Sequence, residues 1–191
     1  MKRVFTFRNI SNVLFFGLIL LVLFNPATKV FFIQSVMKIG LFQPDIPVDK
    51  AKADAVSDMT FSRVNGKTIS LSSLKGKVVF INFWATWCPP CRAEMPGIDQ
   101  LHQQLSSQKN IVFMMIDADD FSKGAVSFMR QNHYILPLYK PSGLIPENIY
   151  TGTLPTTAIS DRKGRLIFHH EGVADYSNSN FKSYLIKIAN Q

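Results

Sequence analysis

Val78-Val-Phe-Ile-Asn-Phe-Trp-Ala-Thr-Trp-Cys-Pro-Pro-Cys91 decides the fold. Its first seven residues are apolar apart from Asn82 and rich in β-branched and aromatic side chains, the composition of a central strand covered on both faces. From Pro89 the period changes. Met95, Ile98, Leu101 and Leu105 recur at near-helical spacing, which leaves Arg92, Asp99, Gln103 and Gln104 expected on the water-facing side. A strand thus runs into a helix, and Cys88 and Cys91, the only cysteines in the chain, sit at the junction.

Outward from this unit the alternation continues. Ile111-Val-Phe-Met-Met-Ile116 reads as a second buried strand, and Phe121 to Asn132 as a second helix with Ala125, Phe128 and Met129 inward. Upstream, the Asn-Gly turn inside Val64-Asn-Gly-Lys-Thr68 predicts a hairpin between Phe61 and Ile69, and Leu71 to Gly76 leads into the core strand. Downstream, Thr156 to Ser160 and Arg165 to His169 flank Asp161-Arg-Lys-Gly164 as another hairpin. Phe181, Tyr184, Leu185 and Ile188 then mark a C-terminal helix, while Tyr139 and Phe168 are core aromatics. Strand, helix, strand, helix implies an α/β domain with a βαβ core over residues 58–191. No internal repeat and no second domain is evident.

The Cys-x-x-Cys pair sits where chemistry is favoured. A helix amino end offers unpaired N–H groups and a partial positive charge, both of which stabilise a thiolate. Cys88 is therefore the expected nucleophile, and Cys91, one turn inside and more shielded, the resolving thiol. Pro89 and Pro90 bring no backbone donors but favour the first helical turn. A purely structural disulfide is the bland alternative, weakened because so small a ring removes little chain entropy. A metal or redox-partner chaperone, holding copper on the pair with His169, is the chemical rival. His133 follows a helix, however, and the adjacent strand residues His169 and His170 point to opposite faces. No metal and no cofactor is expected. Peroxide reduction is disfavoured, since no Pro-x-x-x-[Thr/Ser]-x-x-Cys arrangement leads to Cys88. His102 reads as helix surface, and Asp117, Asp119 and Asp120 as a strand end followed by a capping acid.

Phe83-Trp-Ala-Thr-Trp-Cys-Pro-Pro-Cys-Arg92 resembles the active-site segment of the thioredoxin superfamily. Glu94, Pro96, the stretch Thr153-Leu-Pro-Thr-Thr157 and the N-terminal apolar segment are similar to its TlpA/ResA-like branch of extracytoplasmic thiol–disulfide oxidoreductases. The resemblance covers about residues 58–190. It implies a thioredoxin fold, a mixed sheet flanked by helices and here extended by the N-terminal β-hairpin. It also implies a redox-active Cys88–Cys91 disulfide, Pro155 in the cis form beside it, and a groove in which Trp87, Leu154 and Pro155 meet an extended substrate. Trp87 is expected to pack over the sulfurs and Trp84 in the core. Many cytoplasmic thioredoxins have a buried Asp where this chain has Asn82, which cannot exchange a proton at neutral pH. The proton partner falls to Glu94, three residues past Cys91, whose partial burial would raise its pKa.

The front of the chain sets the location. Asn9 to Thr28 is uncharged, follows Lys2, Arg3 and Arg8, and as one helix of about 30 Å would match a bilayer core. It reads as a signal anchor over residues 1–28, with the basic end cytoplasmic and the rest exported to the periplasmic or cell-surface side. A cleaved, secreted form is the alternative. Residues 29–57 read as an amphipathic segment, Val30 to Phe42, able to lie on the membrane surface or pack on the domain, and a linker from Gln43 to Ser57. The formal net charge is +8, but residues 1–42 hold five basic residues and no acid, which leaves 16 basic against 13 acidic beyond them. Nucleic-acid binding is therefore not expected. The expected partners are an exported protein disulfide, such as that of an apocytochrome c, and a membrane electron-donor thiol protein.

Overall fold

The computed structural model describes residues 7–46, 59–64, 66–119 and 123–191. Seven strands form one mixed sheet: β1 (Thr60–Arg63), β2 (Thr68–Ser70), β3 (Val78–Trp84), β4 (Ile111–Asp117), β5 (Leu138–Pro141), β6 (Thr156–Ser160) and β7 (Leu166–Glu171). Their order is β2-β1-β5-β4-β3-β6-β7. The parallel pairing of β3 with β4 comes from the βαβ crossover through α3 (Pro89–Gln104), and β6 joins β3 antiparallel. The expected hairpins are both present. β1 and β2 extend one edge of the sheet, β6 and β7 form the other. Asn65 of the first turn lies outside the described residues, while Gly66 adopts φ +80°, the left-handed conformation that such a turn demands. The fold is the thioredoxin-like α/β fold.

β3 is buried at every position. Its side chains alternate between two cores, as the pleat requires. Val78, Phe80 and Trp84 pack with Met95, Ile98 and Leu101 of α3, with Ala125 and Met129 of α4 (Lys123–Gln131), and with Phe181 and Leu185 of α5 (Ser179–Ala189). Val79, Ile81 and Phe83 pack with Leu71, Leu74, Met114, Ile116, Tyr139 and Ile149. Phe80 is central to the first set, with ring centroids 5.0 Å from Phe113 and 5.4 Å from Tyr176.

Several expectations need correction. β5 is a strand that the periodicity did not reveal, because Pro137 and Pro141 bracket it and only four residues pair. Asp99 is buried rather than water-facing: its carboxylate accepts the Ile135 N–H at 3.1 Å and the Gln103 amide at 2.6 Å, tying α3 to the segment after α4. His102 is half-buried, edge-on to Phe113 at 5.1 Å, and burial lowers its imidazole pKa against the opposing pull of Asp99.

The apolar N-terminal segment is not one helix. α1 (Phe7–Phe24) ends at Asn25, whose side-chain oxygen accepts the N–H groups of Ala27 at 2.9 Å and Thr28 at 3.3 Å. Asn25 thereby caps a new helix, α2 (Pro26–Lys38), which begins on a proline that cannot donate back into α1. The two helices meet at 100°, and no single helix among the described residues is long and apolar enough to cross a membrane, although the bent pair passes by length and composition. α2 packs on α3. Met37 is buried there, and Gln34 Nε2 donates to the Ala93 carbonyl at 3.4 Å. Of the stretch read as linker, residues 43–46 are described: Pro44 is buried and Ile46 packs on the first core.

Because Phe80 joins β3 to β4 and α5 in one aromatic cluster, Phe80→Ala is expected to lower the free energy of unfolding by about 3–5 kcal/mol in a denaturant titration. A loss below about 1 kcal/mol would show that the cluster contributes little to holding these elements together.

Candidate active site

The end of β3 and the start of α3 place the pair. Cys88 is the N-cap residue of α3, in extended conformation, and Cys91 lies in the first turn. The two are joined as a disulfide with Cα atoms 5.3 Å apart. Since Pro89 and Pro90 have no N–H, the first free donor of the helix is that of Cys91, and it points at Cys88 Sγ at 3.2 Å. The sequence thus strips the helix end of two donors and leaves one aimed at the sulfur that must carry negative charge when reduced. Cys88 is only 3% exposed and Cys91 fully buried.

Around the pair, the sheet delivers the rest of the site. The parallel register sets Trp84 opposite Asp117, and the Ala118 N–H bonds the Trp84 carbonyl at 2.9 Å, so the chain leaving β4 passes beside Trp87. There Asp119 accepts the Trp87 indole N–H at 2.8 Å. Trp87 is 66% exposed and held at its edge by this bond. The role of Asp119 went unread in the sequence, where it looked like a cap. Its position just past a strand end next to the site strand was the available signal. On the opposite side, the Leu154–Pro155 peptide bond is cis and precedes β6. Tyr150 stacks on Phe83 with centroids 4.5 Å apart, backing this loop.

One turn past Cys91 on α3, facing β3, lies a buried polar cluster. Glu94 is fully buried. Its Oε1 accepts the Asn82 side-chain amide at 2.7 Å, and its Oε2 accepts the Ala174 N–H at 3.3 Å. Asn82 also donates to Thr157 Oγ1 at 3.0 Å, its partner across the β3–β6 pair. Burial pushes the Glu94 pKa up to about 8, against the hydrogen bonds from Asn82 and Ala174 that pull it down. Tyr176 is buried nearby, and its phenol pKa is raised by burial and then by the Glu94 charge. Asn82 is therefore a clamp on the acid. The other chemical candidates lie elsewhere: His169 Nε2 is 3.3 Å from the Ile149 carbonyl on β7, and among the described residues no three His, Cys, Asp or Glu side chains gather as a metal site. Asp120 falls outside the described residues.

Residues 50–185 match the Redoxin family. The chain belongs to that family. It is 32% identical over 126 residues to the thiol-disulfide oxidoreductase ResA of Bacillus anthracis, covering 65% of this chain and 71% of the relative. ResA of Bacillus cereus strain ATCC 10987 is 29% identical over 186 residues, 93% of this chain and 98% of its own length. Among solved structures, a thioredoxin-family thiol:disulfide interchange protein from Chlorobium tepidum superposes with a TM-score of 0.58 at 25% identity, covering 74% of this chain and 99% of its own. A secreted thiol-disulfide isomerase from Corynebacterium glutamicum does so with 0.61 at 22% identity, covering 75% and 90%. Within the family this protein is a TlpA/ResA-like thiol–disulfide oxidoreductase of the thioredoxin superfamily.

The buried carboxyl makes stability depend on pH. Between the ordinary value of 4.5 and about 8 the native protein retains a proton that the unfolded chain has released, so stability falls as pH rises across that window. Urea midpoints of the oxidised protein should decrease from about pH 5 to about pH 8, and Glu94→Gln should flatten most of that slope. An unchanged slope in the variant would show that Glu94 titrates normally.

Proposed function

We propose that the protein is a membrane-attached, extracytoplasmic reductant of disulfides in exported proteins, apocytochrome c cysteines among the candidate substrates. The observation that carries this reading is the Cys88–Cys91 pair at the head of α3 above the buried Glu94. In the reduced protein, the Cys88 thiolate attacks one sulfur of a substrate disulfide, forming a mixed disulfide and expelling the other substrate sulfur as thiolate. Cys91 then gives up its proton to the ionised form of Glu94, the minor form below a pKa of about 8, and attacks Cys88 Sγ. The substrate leaves as a dithiol and the enzyme as the disulfide. Two electrons have moved to the substrate, and a membrane electron-donor thiol protein restores the pair. Glu94 suits the proton step because it follows Cys91 by three residues on α3, so both lie on one face of the helix. Its pKa of about 8 lies in the range where a group both takes and returns a proton near neutral pH.

Substrate access is read from the rim. Trp87 stands out from the surface, and the Leu154 backbone just ahead of the cis bond is where an extended peptide would pair before the thiols exchange, since the Pro155 carbonyl already accepts the Gly172 N–H. Export is supported by Lys2, Arg3 and Arg8 ahead of the apolar run, since basic residues stay on the cytoplasmic side. ResA-type relatives add the oxidoreductase activity to this picture.

Two measurements test the reading. Cys88→Ser should abolish insulin disulfide reduction, whereas Cys91→Ser should still attack and accumulate a mixed disulfide visible by mass spectrometry. Activity retained without Cys88 would remove the assignment. A reductant also needs a potential more negative than about −260 mV, below the glutathione range. A potential near that of strong periplasmic oxidants, about −120 mV, would reverse the direction of electron flow.

A further inference from the structure

α2 has two faces with opposite needs. Val30, Ile33, Gln34 and Met37 turn toward the domain, where Met37 is buried and Gln34 reaches the Ala93 carbonyl. The other side carries Phe31, 71% exposed, and Phe32, with Ile39 and Leu41 following in the turn beyond the helix, Ile39 74% exposed. Four large apolar side chains on one outward surface are a poor fit to water. The inward side is fastened at two points: besides the Gln34 bond, the Phe42 carbonyl just past the helix accepts the Asp175 N–H at 2.7 Å, next to the Ala174 that holds Glu94. The segment thus straps onto the half of α3 that carries Cys91, Ala93 and Glu94.

We infer that the outward face of α2, Phe31, Phe32, Ile39 and Leu41, is seated in the headgroup region of a lipid surface, so that α2 fixes the active-site helix at a set height and orientation over the membrane. This rests on the membrane attachment proposed above. Three observations select lipid as the occupant. The apolar surface of α2 continues that of α1, where Val13, Leu14, Phe15, Phe16, Leu18 and Leu20 are all exposed. The 100° bend at Asn25 sets α2 nearly perpendicular to α1, so an α1 along the bilayer normal lays α2 in the plane of the surface. Charge agrees as well: residues 1–44 contain no acid, and Lys29 and Lys38 flank the apolar face, as anionic headgroups favour. Helices of this kind lie about 5–10 Å into the headgroup and acyl boundary. The catalytic consequence is a geometric one. An electron donor embedded in the same membrane meets a thiol pair held close to the lipid, whereas a donor free in solution gains nothing from the strap.

Depth-resolved fluorescence quenching of the full chain tests this, in liposomes of phosphatidylcholine and phosphatidylglycerol. With Trp87→Phe as background the remaining Trp84 is fully buried in the domain. Phe31→Trp then reports on α2, and Leu18→Trp on α1. The expected result is that Trp at position 31 is quenched more by lipids brominated near the headgroup than by deeply brominated ones, and Trp at position 18 more by the deep ones. If position 18 is quenched and position 31 is not, the attachment stands and the inference on α2 falls. Quenching of position 31 chiefly by deep bromines overturns it too, since α2 would then be inserted rather than seated. Blue-shifted emission at position 31 that ignores bromine and follows protein concentration overturns it in favour of a second copy of the chain. If neither position is quenched, the attachment itself fails and the inference with it.

Discussion

The amide of Asn82 on the carboxyl of Glu94 is the interaction from which the site is built. It joins the middle of the central strand to the active-site helix at 2.7 Å, inside a region with no water access. A carboxyl buried without partners would be strongly destabilising. Here two acceptor oxygens are each used, by Asn82 and by the Ala174 N–H, and the proton stays on at neutral pH because charging the group in the core is harder still. Three separate segments, β3, α3 and the loop before α5, therefore converge on one acid beneath the disulfide.

That convergence explains how a common fold becomes a redox device. The parallel β3–β4 pairing and the antiparallel β3–β6 pairing bring Asp119 and the cis Leu154–Pro155 bond to the same end of the sheet as Cys88. The helix contributes one donor to the outer sulfur, and two prolines withhold the others. The chemistry is divided by depth: an outer sulfur for exchange, an inner sulfur for release, and a buried acid one helical turn past the inner sulfur.

Much of the fold was legible because it depends on patterns of short range. The unbroken apolar run of β3, the helical period after Pro89, the Asn-Gly turn and the Asp161–Gly164 turn each name an element from its own residues. The misses share another cause. β5 is short and bounded by prolines, so it exists through pairing with β4 and β1 rather than through its own propensity. Asp99 looked exposed by helical phase, yet a distant N–H at Ile135 draws it inward. The break at Asn25 was hidden by hydropathy, which stays high across it. In the site, the cysteines and Glu94 could be named from the motif, but the full burial of Glu94 could not. Asn82 was read as a loss of proton exchange, when a lone amide in an apolar strand was itself the sign of a buried polar partner facing it.

The central claim is that a protonated carboxyl sits in the core beneath the cysteine pair. The carboxyl carbon chemical shift of Glu94, followed by NMR through a pH titration of the oxidised protein and assigned with Glu94→Gln, tests it directly. A midpoint near 8 is the expected result. A midpoint in the ordinary carboxylate range, near 4.5, would contradict the account, because Glu94 would then be ionised throughout neutral pH and too weak a base to hold the Cys91 proton.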